Sequence, residues 1–86
     1  MGSNVETLYR LMDDGAEALQ FKVAENSRLV NIPLKDLQLK SQVLLAGILR
    51  GRDTITPTGN DVILPGDKVI VITAGRRLND LADILK

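Results

Sequence analysis

The chain has 86 residues, eleven basic and eleven acidic, with no net charge, no cysteine and no histidine. That composition excludes disulfides and thiolate metal sites and removes the commonest general base and metal ligand. It also denies the chain the positive excess of a general nucleic-acid binder. Hydrophobic residues make up 44%, mostly Leu, Ile and Val with one Phe and one Tyr, enough for one small core. A lone domain of this size buries only about 60% of its unfolded surface, so self-association is a natural remedy. No apolar run approaches ~18 residues and no signal peptide is visible, which predicts neither membrane insertion nor export.

Met1-Gly2-Ser3 has the look of a cloning remnant, although Ser3 and Glu6 also fit a capping box. Val5, Leu8, Tyr9 and Met12 follow at i, i+3, i+4, i+7, and Gly15 stands where a helix would stop. The spacing predicts a short helix over Asn4 to Met12, in a linker covering residues 1–16. So short a helix is unstable alone, and its stripe must dock on something. Residues 17–86 then form the domain. Leu19, Phe21 and Val23 alternate with Gln20 and Lys22, which predicts a half-buried strand. Pro33 suits the first position of a one-turn helix, Pro33 to Leu37.

Val43 to Leu49 is a continuous apolar run, short enough for a central strand covered on both faces. A buried helix competes with that reading. Gly47 argues against the helix and, in a strand, marks a bulge or a close approach. Gly51-Arg52-Asp53 turns the chain into a short strand, Thr54 to Thr56, and Thr56-Pro57-Thr58-Gly59 suits a type I turn. Val62 to Leu64 is a further short strand. Leu64-Pro65-Gly66-Asp67 predicts a type II turn, with Gly66 supplying the positive φ. Lys68 to Thr73 alternates with both faces apolar, so it also reads as a strand covered on both sides. Leu78, Leu81, Ala82 and Leu85 fall on one helical stripe and predict a closing helix. The whole is α+β: one small, mostly antiparallel sheet of four to five strands, with a short N-terminal helix, a one-turn helix and a C-terminal helix.

In order, Pro33-Leu34-Lys35-Asp36-Leu37, Val43 to Gly51, Pro57-Thr58-Gly59 and Gly66-Asp67-Lys68-Val69-Ile70-Val71 resemble the TrkA-C, or RCK-C, domain of regulators of potassium conductance. The likeness runs from Ala18 onward. Asn4 to Phe21 and Arg77-Leu78-Asn79-Asp80-Leu81 resemble the closing segment of the peripheral subunit of Trk-type potassium uptake systems. The resemblance implies a TrkA-C-like fold and a dimerising, ligand-sensing module of a gating assembly. That assembly serves a potassium-translocating membrane subunit from the cytoplasmic side. It also implies Rossmann-like domains that bind NAD(H) or adenine nucleotides. This chain carries no Gly-x-Gly-x-x-Gly after a strand, so no cofactor is expected in this piece.

Some members of the family hold cyclic di-AMP with an Asp-x-Arg and an Asn before the apolar strand. Here Asp36 is present, but Gln38 replaces the arginine and Gln42 is the nearest amide. Without the arginine a bidentate phosphate grip is missing, and a solvated role for Asp36 is favoured. Arg76 and Arg77 would open the last helix, where its dipole disfavours cations. A contact of Arg76 with Asp80, or a salt bridge to Asp67, is the plain compensation. An anionic ligand, or a carboxylate of a partner chain, is the functional one. Arg50 and Arg52 flank Gly51: a solvated turn on the plain reading, the rim of an anion-attracting cleft on the functional one. Asp53, Asp61 and Asp67 lack calcium-loop spacing, and no metal site is expected.

Small size and an aliphatic core point to a homodimer, with Leu8, Met12, Val43, Leu45 and Ile48 contributing to its interface. The leading function is therefore a non-catalytic regulatory domain of a cytoplasmic potassium-uptake subunit, with a small anionic ligand as a candidate effector. The alternative is the same domain serving another ion exchanger or anion transporter. Less favoured is a small β-rich dimer that binds nucleic acid, which neutral charge opposes. An enzyme is least favoured, since the carboxylates, lysines, Tyr9 and hydroxyls show no catalytic arrangement.

Overall fold

Alternating burial along the chain builds one antiparallel sheet, and the loops between its strands supply the second layer. The computed structural model describes residues 5–11 and 15–86. Its strands are β1 (Val5–Arg10), β2 (Ala16–Lys22), β3 (Val43–Arg50), β4 (Asp53–Ile55) and β5 (Lys68–Ala74). They lie side by side in the order β1-β2-β5-β3-β4, every neighbouring pair antiparallel.

The inner face carries Leu19 and Phe21 from β2, Val69 and Val71 from β5, and Ile48 from β3, all buried. Leu29, Ile63, Leu78, Leu81 and Ile84 cover it from the loops and the C-terminal segment. A bulge between Leu45 and Gly47 shifts the β3 register by one residue. That shift is why Val43, Leu45 and Ile48 share the inner face at spacings of two and then three. The outer face carries Ala18, Gln20, Leu44, Gly47, Ile70 and Ile72. No described element lies across it.

The fold corrects the expected α+β class. The described residues contain no α-helix, only two 3-10 turns, Leu34–Asp36 and Leu81–Ile84. The expected helix over Asn4 to Met12 is instead β1; Asn4 and Met12 themselves lie outside the described residues. Val5, Thr7 and Tyr9 favour extended backbone, and β1 finds a ready partner in β2 across the turn at Gly15, whose φ is 97°. The expected closing helix is a single 3-10 turn between extended Asp80 and Leu85. Leu81 and Ile84 are its buried residues, three apart, the 3-10 period.

Two strands expected to be covered on both faces are covered on one, and β5 rather than β3 is central. Val62 to Leu64 contributes only an isolated parallel bridge, Ile63 to Val30. The Leu64–Asp67 turn forms as expected: the Asp67 N–H donates to Leu64 O at 3.1 Å, with Gly66 at φ 86°.

The last turn is capped at its N-terminal end by a reciprocal pair of carboxylates. The Asp80 carboxylate accepts from Ala82 N at 2.9 Å, and Asp83 accepts from Asp80 N at 3.0 Å and Asn79 N at 2.9 Å. Asp80→Ala is expected to cost about 1 kcal/mol, a fall in Tm of about 4–8 °C for a domain this size. A thermal melt followed by circular dichroism checks it.

Candidate functional site

The four arginines singled out in the sequence fall into separate places. β3 ends beside the start of β5, since Leu49 pairs with Lys68, so Arg50 and Arg52 lie at one end of the sheet. Arg76 and Arg77 follow the other end of β5.

Arg50 is spent inside the protein. Its Nε donates to Asp67 Oδ1 at 3.0 Å, and its Nη2 donates to Asp67 Oδ2 at 2.8 Å and to Val62 O at 3.0 Å. Asp67 also accepts from Leu64 N at 2.9 Å. This bidentate pair ties the end of β3 to the turn before β5. Burial pushes the Asp67 carboxyl up, but the Arg50 guanidinium and the Leu64 N–H hold it, on balance, below the usual carboxylate range. The expected salt bridge from Arg76 to Asp67 is not formed. Arg52 is exposed in the turn after β3.

Arg76 folds back on the loop before β3. Its Nε donates to Ser41 O at 2.6 Å and its Nη2 to Ser41 Oγ at 3.0 Å. Arg77 is exposed, and among the described residues it makes no hydrogen bond or ion pair. Both line an open groove of about 600 Å³ between the inner side of the β1–β2 pair and the 75–79 segment. Val5, Leu8, Leu19 and Leu78 give it an apolar floor; Glu17 and Asn79 complete the rim. The groove exists because the loops that cover the inner face stop short of β1. Nothing in the sequence patterning pointed to Glu17 or Asn79.

Asp36 and Gln38 line a smaller cleft of about 290 Å³ with Arg28, Ile32, Leu37, Leu85 and Lys86. Asp61 is committed to its own turn, accepting from Thr58 N at 2.7 Å and Thr58 Oγ1 at 3.1 Å. Among the described residues no cluster of acidic groups is arranged to hold a metal ion.

Of the residues expected at a dimer interface, Ile48 is fully enclosed within the protomer. Val43 and Leu45 are partly buried against the same core. Leu8 is exposed on the inner side of β1, and Met12 lies outside the described residues. Among the described residues the exposed large hydrophobics are Leu8, Tyr9, Leu11 and Leu44. Tyr9 stood in the expected helical stripe and Leu44 in the expected two-sided strand, but neither they nor Leu11 were expected at an interface. The extended-chain preference of Val5, Thr7 and Tyr9 was the signal that could have found Tyr9 and Leu11.

An antiparallel sheet packed on one side by loops, with an open outer face and no helix long and apolar enough to cross a membrane among the described residues, defines a small all-β domain. The chain belongs to the TrkA-C domain family, whose model matches residues 18–86. It is 27% identical over 86 residues to the Trk system potassium uptake protein TrkA homolog 1 of Methanosarcina mazei, covering 100% of this chain and 19% of that protein. It is 28% identical over 82 residues to the TrkA homolog of Archaeoglobus fulgidus, covering 95% of this chain and 18% of that protein. With the homolog of Pyrococcus abyssi the identity is 28% over 74 residues, 85% of this chain and 33% of the other. The chain therefore spans from 18% to 33% of the length of these curated relatives.

Proposed function

We propose that this chain is a non-catalytic regulatory module of a cytoplasmic potassium-uptake subunit, acting as a homodimer and responding to a small anionic ligand. The observation that carries the reading is the family match over residues 18–86, together with relatives named as Trk potassium uptake proteins along the full chain. Those relatives favour a potassium system over another ion exchanger as host. NAD(H) or an adenine nucleotide would bind elsewhere in the longer subunit, which in turn would meet the membrane-bound translocating subunit.

The dimer is supported by apolar surface left open on the outer face and along β1. The ligand role falls to the groove under Arg77. Its guanidinium is unspent, whereas that of Arg50 is engaged by Asp67. A ligand changes the module only by binding one arrangement of the dimer better than the other. Sedimentation velocity of the chain at micromolar concentration tests the central claim. A dimer is the expected result; a folded monomer there would sink the reading.

A further inference from the structure

The least finished part of this molecule is the outer edge of its sheet. β1 is an edge strand with no described neighbour on its far side. The Leu11 N–H donates to Ala16 O at 2.8 Å, which fixes the alternation of the β1–β2 ladder. By that alternation the N–H and C=O of Leu8 and Arg10 point away from β2 and meet no other described strand.

The side chains are as open as the backbone. Leu8 is 50% exposed on the inner face, Tyr9 62% on the outer face, and Leu11, just beyond, 50%. Folded proteins usually blunt such an edge with lysine, proline, a central bulge or a very short strand. β1 has six residues, Val-Glu-Thr-Leu-Tyr-Arg, with neither lysine nor proline; its two charges, Glu6 and Arg10, stand near its ends and leave its centre apolar, and its bulge lies at its start, between Val5 and Thr7. The opposite edge is protected by comparison: β4 has only three residues and opens on an aspartate.

We propose that β1 pairs antiparallel with β1 of a second copy, about a two-fold axis at Leu8, to make one continuous ten-stranded sheet. This rests on the homodimer reading above and names its interface. The strand is complementary to itself. Leu8 meets its own copy, Thr7 stands opposite Tyr9, and the Glu6 end of one strand lies at the Arg10 end of the other. An axis perpendicular to the sheet keeps inner face with inner face, so the second Leu8 extends the floor of the groove under Arg77. The outward N–H and C=O of Leu8 then bond their counterparts in the second copy. A junction of six residues is at the small end of specific interfaces, which makes the association weak and concentration-dependent.

The chain has no cysteine, so a single introduced thiol is an unambiguous probe. Opposed residues that exchange both backbone bonds sit about 5.5 Å apart at Cα, within disulfide reach. Leu8→Cys is expected to give a disulfide-linked dimer under mild oxidation. Leu44→Cys, on the outer face and 59% exposed, is expected to remain unlinked. Linking of Leu44→Cys without Leu8→Cys would overturn the proposal in favour of face-to-face stacking.

Leu8→Pro removes an N–H that β2 does not use and should weaken the dimer at least tenfold in sedimentation, with the sheet spectrum retained. Leu8→Lys should do the same without constraining the backbone, which covers a proline variant that fails to fold. Undiminished dimerisation of the lysine variant would reject the edge. A wild-type chain that is itself monomeric rejects the homodimer reading. A wild-type dimer whose Leu8→Cys form never links rejects this interface alone.

Discussion

Phe21→Ala is expected to remove a large share of the chain's stability and to lower Tm by about 12–40 °C. Phe21 is fully buried on the inner face of β2, where it pairs with Val69 on one side and Val5 on the other. It is the only phenylalanine in the chain, so no other side chain of its kind can fill the space. Truncating a buried phenylalanine costs about 3–5 kcal/mol in lost transfer energy and residual cavity. Domains hold roughly 0.05–0.15 kcal/mol of stability per residue, which gives about 4–13 kcal/mol here. The loss is therefore a large share of the total. Phe21→Leu, which keeps most of the volume, should retain the fold with a much smaller loss. Urea titration followed by circular dichroism distinguishes them. An alanine variant that melts within a few degrees of the wild type would show that this core is not packed around Phe21.

Asp67→Ala is expected to cost about 3 kcal/mol, lowering Tm by about 12–24 °C in a domain of this size. The carboxylate is 2% exposed while the Arg50 side chain is 36% exposed, so the penalty is set below that of a fully buried pair. Removing Asp67 strands the Leu64 N–H and leaves the Arg50 guanidinium with only Val62 O. The same pair makes stability depend on acid. The folded carboxyl titrates below its ordinary range, so its contribution is complete at pH values above the unfolded value of about 3.9. As pH falls below that, the unfolded chain takes up the proton first and stability drains away until the folded carboxyl titrates too. Urea midpoints measured from neutral pH down through the acid range should therefore fall for the wild type and fall less for Asp67→Asn. Equal acid sensitivity in both would mean that other carboxylates carry the effect.

Much of the sheet was legible in the residues. Alternation at Leu19-Gln20-Phe21-Lys22 and at Lys68 to Thr73, the Pro65-Gly66 turn and the bulge signal at Gly47 all describe real features. The helices were not legible, for a shared reason. Val5, Leu8, Tyr9 and Met12 satisfy a helical spacing by number. The spacing cannot tell that Leu8 and Tyr9 fall on opposite faces of an extended strand, each exposed. At the C-terminus, Leu78 and Leu81 fit both a 3.6-residue and a three-residue period. Ile84 decides for the tighter one, and it lay off the helical stripe.

At the candidate site, Arg50 and Arg77 look alike in sequence but differ in what the fold leaves free. Which arginine meets Asp67 is settled by the antiparallel register of β3 on β5, a long-range fact that local patterning does not contain.

The strand order has a consequence for how the chain acquires its shape. β5 is the last of the five described strands in sequence, yet it stands between two hairpins, β1–β2 and β3–β4, whose strands do not pair with each other. Until it arrives, those hairpins are separate and marginal on their own. Assembly of the sheet thus waits until β5 has been made, and refolding belongs to the slower, millisecond-to-second regime of distant pairings. A polypeptide stopped before Lys68 would be two halves lacking their keystone.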